Sequence, residues 1–134
     1  MQRAGLILRV IYALCLAGAT VNHVRAIAAY GVLPDFLPWP SAAYWSSLTL
    51  LDPLAAALLF VRPRAGIVLT AAIIATDVAH NLWFVNLHPP APSLAAAVAA
   101  NPFLISQIAF LVFVAATARI AWRGARAPGE TCGA

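Results

Sequence analysis

Four long apolar runs, at residues 5–28, 44–61, 65–87 and 102–123, limit what this chain can become. A helix of roughly 20 apolar residues spans a bilayer hydrocarbon core of about 30 Å, and each run is close to or above that length. The chain has 134 residues, of which 63 % are hydrophobic and only 9 % charged. A water-soluble domain of this size has too much surface for such a composition. The expectation is an all-α integral membrane protein: a four-helix up-and-down bundle with proline-rich external loops. One domain covers residues 1–124, and a disordered cytoplasmic tail follows at 125–134.

The first twenty residues also have an early Arg3, an apolar stretch and a small-residue Ala17-Gly18-Ala19, as a signal peptide does. Arg9 interrupts that stretch, and the apolar pattern runs on to Ala29, so a retained first span is expected. Arginine sets the orientation. All eight basic residues are Arg, and Arg3, Arg9, Arg62, Arg64, Arg119, Arg123 and Arg126 fall on one side of the spans, leaving only Arg25 on the other. The positive-inside rule makes the first side cytoplasmic, with both termini inside. The net charge of +4 follows from this asymmetry and suits anionic lipid headgroups, not nucleic acid. Cys15 within span one and Cys132 in the tail form no C-x-x-C, zinc or disulfide pattern.

The turn Arg62-Pro63-Arg64 is tight, so spans two and three are antiparallel neighbours. Residues 30–43 hold Pro34, Pro38 and Pro40 and read as irregular chain over the outer interface, with Trp39, Tyr44 and Trp45 at headgroup level. After Pro89, Pro90 and Pro92, the alanine-rich stretch at 93–100 has the propensity for a short helix capped by Ser93.

The polar residues within the spans are few. At 1.5 Å per residue, Asn22, His23 and Arg25, Asp52, Asp77, His80, Asn81, and Gln107 all fall in the outer half of the bilayer. An ionisable group at such depth costs about 2.5–3.5 kcal/mol on insertion scales, so it marks a function or a partner. Offsets of three and four place Asp77, His80 and Asn81 toward one helical face. Together these groups predict a polar pocket that opens outward. Asp77 and His80, with Asp52 as second carboxylate, are the candidates for proton handling. Asn22, His23, Asn81, Gln107 and Trp83 are the candidates for ligand binding. Simple interhelical pairing, Asp52 with Arg25 or Asp77 with His80, is the bland alternative. His23 and His80 are conceivable haem ligands, but their spacing specifies neither haem nor any metal site.

The order of features resembles a known family. Leu8-Arg9, Ala17-Gly18 and His23 are followed by Tyr30, Leu33-Pro34 and Leu37-Pro38-Trp39-Pro40-Ser41. Asp52-Pro53-Leu54-Ala55-Ala56 and the Arg62-Pro63-Arg64 turn come next. Over about residues 8–120 this resembles the DoxX-like superfamily of small four-helix bacterial membrane proteins, which includes the DoxX and MauE groups. That resemblance implies the four-helix bundle and a place beside quinone-linked sulfur or thiol redox chemistry. The missing C-x-x-C departs from a thiol-oxidising role. Asp77-x-x-His80-Asn81-x-Trp83-Phe84 is loosely similar to the emopamil-binding-protein (EXPERA) bundle, whose intramembrane His and acidic residues handle sterols.

The sequence therefore predicts a bacterial inner-membrane protein whose pocket binds a small hydrophobic ligand, quinone-like or isoprenoid. Membrane lipid and a redox partner subunit are its expected partners, and an accessory role is expected. The alternatives are a lipid- or terpenoid-transforming enzyme using Asp/His acid–base chemistry and a purely structural subunit.

Overall fold

A computed structural model describes residues 2–88 and 92–125. Their elements are α1 (Gln2–Tyr30), α2 (Trp39–Val61), α3 (Pro63–Leu87), the short α4 (Leu94–Ala99) and α5 (Pro102–Arg123). All but α4 are long and apolar enough to cross a membrane. The chain is an all-α four-helix bundle of membrane type. Pro89, Pro90, Ala91, Arg126 and Cys132 lie outside the described residues, as does the expected tail from 126 onward.

Proline and polar caps fix where the helices start. Pro40, Pro63 and Pro102 sit in the first turns of α2, α3 and α5, where a missing N–H costs nothing. Ser93 Oγ accepts from Ala96 N and Asn101 Oδ1 from Leu104 N, capping α4 and α5. The first connection is shorter than the prolines suggest. α1 continues through Tyr30 and α2 begins at Trp39, so only residues 31–38 are irregular. Gly31, at φ 83°, turns the chain out of α1 while its N–H bonds Ile27 O. Ser46 Oγ then donates to the Val32 carbonyl and ties this segment to α2. Pro53 lies inside α2 and removes one intrahelical bond without ending the helix.

The helices pack in a ring, α1 beside α2, α2 beside α3, α3 beside α5 and α5 beside α1. Two glycines close one end of that ring. A Cβ on Gly5 would lie 2.7 Å from Gly124 Cα, so α1 and α5 touch backbone to backbone there. A Cβ on Gly66 would strike the backbone of Leu59 and so lock α2 to α3 beside the tight turn. Arg9 completes this end: its Nη1 donates to Leu59 O at 3.0 Å and its Nε to Gly5 O at 3.3 Å. A cation at the C-terminal carbonyls of α2 complements that helix's dipole.

Above this pinch lies the core. Fully buried Tyr12 meets Phe110 and Phe113 edge-on, and its hydroxyl pairs with Thr117 Oγ1 at 2.7 Å. Leu16, Leu48, Ala55, Leu59, Ile67 and Val114 pack around it. Ala125 is also buried here, so the packed structure includes a residue that the sequence assigns to the tail.

Candidate functional site

Beyond Tyr12 a cavity of about 860 Å³ lies in the other half of the bundle. Helical stripes build its walls. α1 contributes Cys15, Gly18, Ala19, Asn22, His23 and Ala26, at offsets of three and four. Asp52 and Trp45 of α2 are seven residues apart, two turns on one face. α3 presents Ile73, Ile74, Asp77, Asn81 and Phe84, while α5 presents Phe103, Ser106, Gln107 and Phe110.

The cavity is open between α1 and α5. Cys15, Gly18 and Asn22 on one lip, and Phe103 and Ser106 on the other, are all exposed. A Cβ built on Gly18 meets nothing within 4 Å. This lip faces sideways, where the hydrocarbon of a bilayer would be, so the pocket is reached from the flank as well as from the end.

Opposite the opening stands a polar wall with a definite hydrogen-bond direction. Trp45 Nε1 donates to Asn81 Oδ1 at 3.0 Å. Asn81 Nδ2 then donates to Asp77 Oδ1 at 3.1 Å and to Gln107 Oε1 at 2.9 Å. The indole N–H can only donate, so it fixes which end of the Asn81 amide is oxygen. The amide nitrogen consequently faces the carboxylate and Gln107. This one side chain links α2, α3 and α5.

Asp77 is 6 % exposed and Asp52 only 1 %, yet they differ in their partners. Asp77 is held by Asn81. Asp52 Oδ2 has no hydrogen-bond partner, and the nearest cationic candidate is His23 Nε2 at 3.7 Å. The pairing of Asp52 with Arg25, the bland alternative, does not form. Arg25 is two residues from His23, roughly 200° around α1, and is exposed.

Of the eight candidate residues, Asp52, Asp77, Asn22, His23, Asn81 and Gln107 line one cavity. His80 and Trp83 do not. The α3 stripe is centred near Asp77 and Asn81, and at about 100° per residue His80 falls well to one side and Trp83 further round. His80 instead packs among Tyr44, Trp45 and Trp83, with ring centroids 4.7, 5.3 and 5.5 Å away. Its Nε2 is buried without a partner, and no Asp77–His80 pair exists among the described residues. Trp83 is 52 % exposed on the outer surface of α3. A proton-handling pair of Asp77 and His80 therefore lacks the contact it needs.

Trp45 belongs to the cavity although its sequence position suggests only an interfacial anchor: half-buried, it faces the bundle, bonded to Asn81 and edge-on to Phe84 at 5.2 Å. Its seven-residue offset from Asp52 carries the signal. His88 and Asn101 also line the mouth, where His88 stacks on Phe84 at 4.7 Å.

Fold and site together define an integral-membrane-type helical bundle with a flank-opening, polar-walled cavity. No family model, no curated protein and no solved structure matches the chain.

Proposed function

We propose that this protein binds a small amphipathic molecule drawn from the bilayer, its polar head on the Asp52–Asp77–Asn81 wall and its apolar body leaving between α1 and α5. The observation that carries this reading is the cavity itself. Its volume of about 860 Å³ is within the ligand-pocket range of roughly 300–1,000 Å³, and it joins an apolar lining to one polar wall. Six polar side chains from all four long helices converge there, which simple helix pairing does not require. Asn81 and Gln107 do join helices, but Asn22 is exposed and His23 half-buried on the cavity wall, with Asp52 buried behind them.

The arginine asymmetry supports a cytoplasmic pinched end and a cavity in the outer half of the membrane. The DoxX-like resemblance fits that placement in a bacterial inner membrane. A quinone head fits the wall less well. It brings only carbonyl acceptors, whereas the Trp45 and Asn81 N–H donors beside the carboxyl groups are already engaged, while the Asn22 and Gln107 amides keep free N–H groups. Asp77 and His80 do not meet, and the one Asp–His approach in the cavity, His23 to Asp52 at 3.7 Å, is beyond hydrogen-bond distance. The cavity is therefore read as a binding site.

The test is solvent extraction and mass analysis of small molecules that co-purify with the protein, compared with the Gly18→Trp variant. Gly18 faces empty cavity, so an indole there fills the opening without disturbing a packed contact. The proposal expects a compound enriched in the native protein and depleted in the variant. Equal recovery from both proteins refutes it.

A further inference from the structure

The unused hydrogen-bonding capacity of the cavity wall says what kind of head it takes. The Trp45 indole donates to Asn81, and both N–H groups of the Asn81 amide are engaged, one on Asp77 and one on Gln107. The Gln107 and Asn22 amides keep N–H groups of their own, but beside the two carboxyl groups what remains open is acceptor capacity. Asp52 Oδ2 is buried and has no partner, and a carboxylate oxygen accommodates more than the single bond that Asp77 Oδ1 receives. A head that sits against the two carboxyl groups themselves meets acceptors and is best matched by donors.

Charge narrows the choice further. Two carboxyl groups line one cavity, and no arginine lines it among the described residues; the chain has no lysine. Arg9 is occupied by the Leu59 and Gly5 carbonyls at the pinched end. Only His23 approaches Asp52, at 3.7 Å, beyond hydrogen-bond distance. Carboxyl groups set among apolar side chains either take up a proton or take a partner of opposite charge, and a cationic head supplies the second. The protein leaves that place open at the end of a cavity lined by Leu16, Ile74, Phe103 and Phe110.

We propose that the cavity binds lipophilic amines, with the ammonium between Asp52 and Asp77 and the hydrocarbon chain lying toward the α1–α5 opening. An ammonium supplies three N–H donors and a full charge, where an alcohol supplies one donor and no charge. This assignment rests on the ligand-binding reading above and names the class of head that the site selects.

The experiment compares n-octylamine with 1-octanol, probes that share a chain and differ in charge and donors. Binding to the full chain in phosphatidylcholine nanodiscs is measured by equilibrium dialysis near neutral pH, and uptake by empty nanodiscs is subtracted. Octylamine is expected to bind at least tenfold more tightly than octanol. Asp52→Asn should remove most of that preference, chiefly by weakening octylamine, and Asp52→Glu should retain it. Size-exclusion elution checks that each variant is folded. Equal affinity for the two probes overturns the amine assignment but leaves the ligand-binding reading standing. A preference that survives in Asp52→Asn/Asp77→Asn also overturns it. If octylamine, octanol and decylubiquinone all fail to bind above empty discs, the ligand-binding reading falls and takes the assignment with it.

Discussion

Replacing Asn81 with alanine deletes three hydrogen bonds at once, to Trp45, Asp77 and Gln107. Polar contacts between membrane helices average about 0.6 kcal/mol each, with a maximum near 1.7. Three average bonds amount to about 2 kcal/mol, roughly a thirtyfold shift in the unfolding equilibrium at 1.4 kcal/mol per factor of ten. The true loss should be no smaller, because the Trp45 N–H and Asp77 Oδ1 remain partly buried without their partner. Asn22 provides the control. It lines the same cavity but is exposed and makes no hydrogen bond in the structure, so Asn22→Ala should change stability by under about 0.5 kcal/mol. Reversible unfolding in mixed detergent micelles, followed by circular dichroism, measures both. A cycle that combines Asn81→Ala with Gln107→Ala should return a coupling of about 0.6 kcal/mol for the α3–α5 bond. If Asn81→Ala costs no more than Asn22→Ala, the wall is not a preorganised network, and the direction of its hydrogen bonds cannot be used to choose a ligand.

The pinch supplies a contrast between glycines. Gly5→Leu should lower the thermal midpoint in detergent by several degrees, because Gly124 Cα occupies the place of the new side chain, while Gly18→Ala should leave the midpoint unchanged. Arg9→Met keeps the apolar stem but strips the Leu59 carbonyl of its donor, and a loss of about 1–2 kcal/mol is expected in the same unfolding assay. Tyr12→Phe should cost less than about 1 kcal/mol, since Thr117 still bonds Phe113 O and the ring contacts persist. In a background with Cys15 and Cys132 replaced by serine, a membrane-impermeant maleimide applied to intact cells should label Phe36→Cys and spare Arg64→Cys. Labelling of Arg64→Cys would reverse the orientation.

Much of the bundle can be read from residue order because bilayer thickness imposes it. Runs at 65–87 and 102–123 become α3 and α5 with little change, for their ends are set by proline and arginine. The α2 boundary differs for a physical reason: Pro40 looks like a helix breaker in isolation but occupies the first turn, where its fixed φ is favourable. The cavity wall was partly legible. Asp52, Asp77, Asn81 and Gln107 share a depth, and depth follows from counting residues. Azimuth does not, because it depends on which neighbour each face meets. That is why His80, close to Asp77 in sequence, turns toward Tyr44 and Trp45. The role of Trp45 was hidden by its chemistry, since a tryptophan near a span's end reads equally well as an interfacial anchor. The close approach of Gly5 to Gly124 joins two distant ends of the chain, and nothing local to either residue announces it.

That backbone contact, with Tyr12 packed on α5 just beyond it, makes one end of the α1–α5 pair a pivot. Ala26, on the cavity lip, lies about 30 Å along α1 from Gly5 at 1.5 Å per residue. A rotation of about 10° around the glycine contact would carry Ala26 some 5 Å, yet it would hardly change the distances at the pivot. Such a tilt displaces Tyr12 and Leu16, midway along α1, less than it displaces the entrance, so the mouth responds more than the core does. A small tilt, such as one imposed by a thicker or thinner bilayer, reaches the cavity mouth amplified, while the core around Leu59 and Ala121 stays as it is.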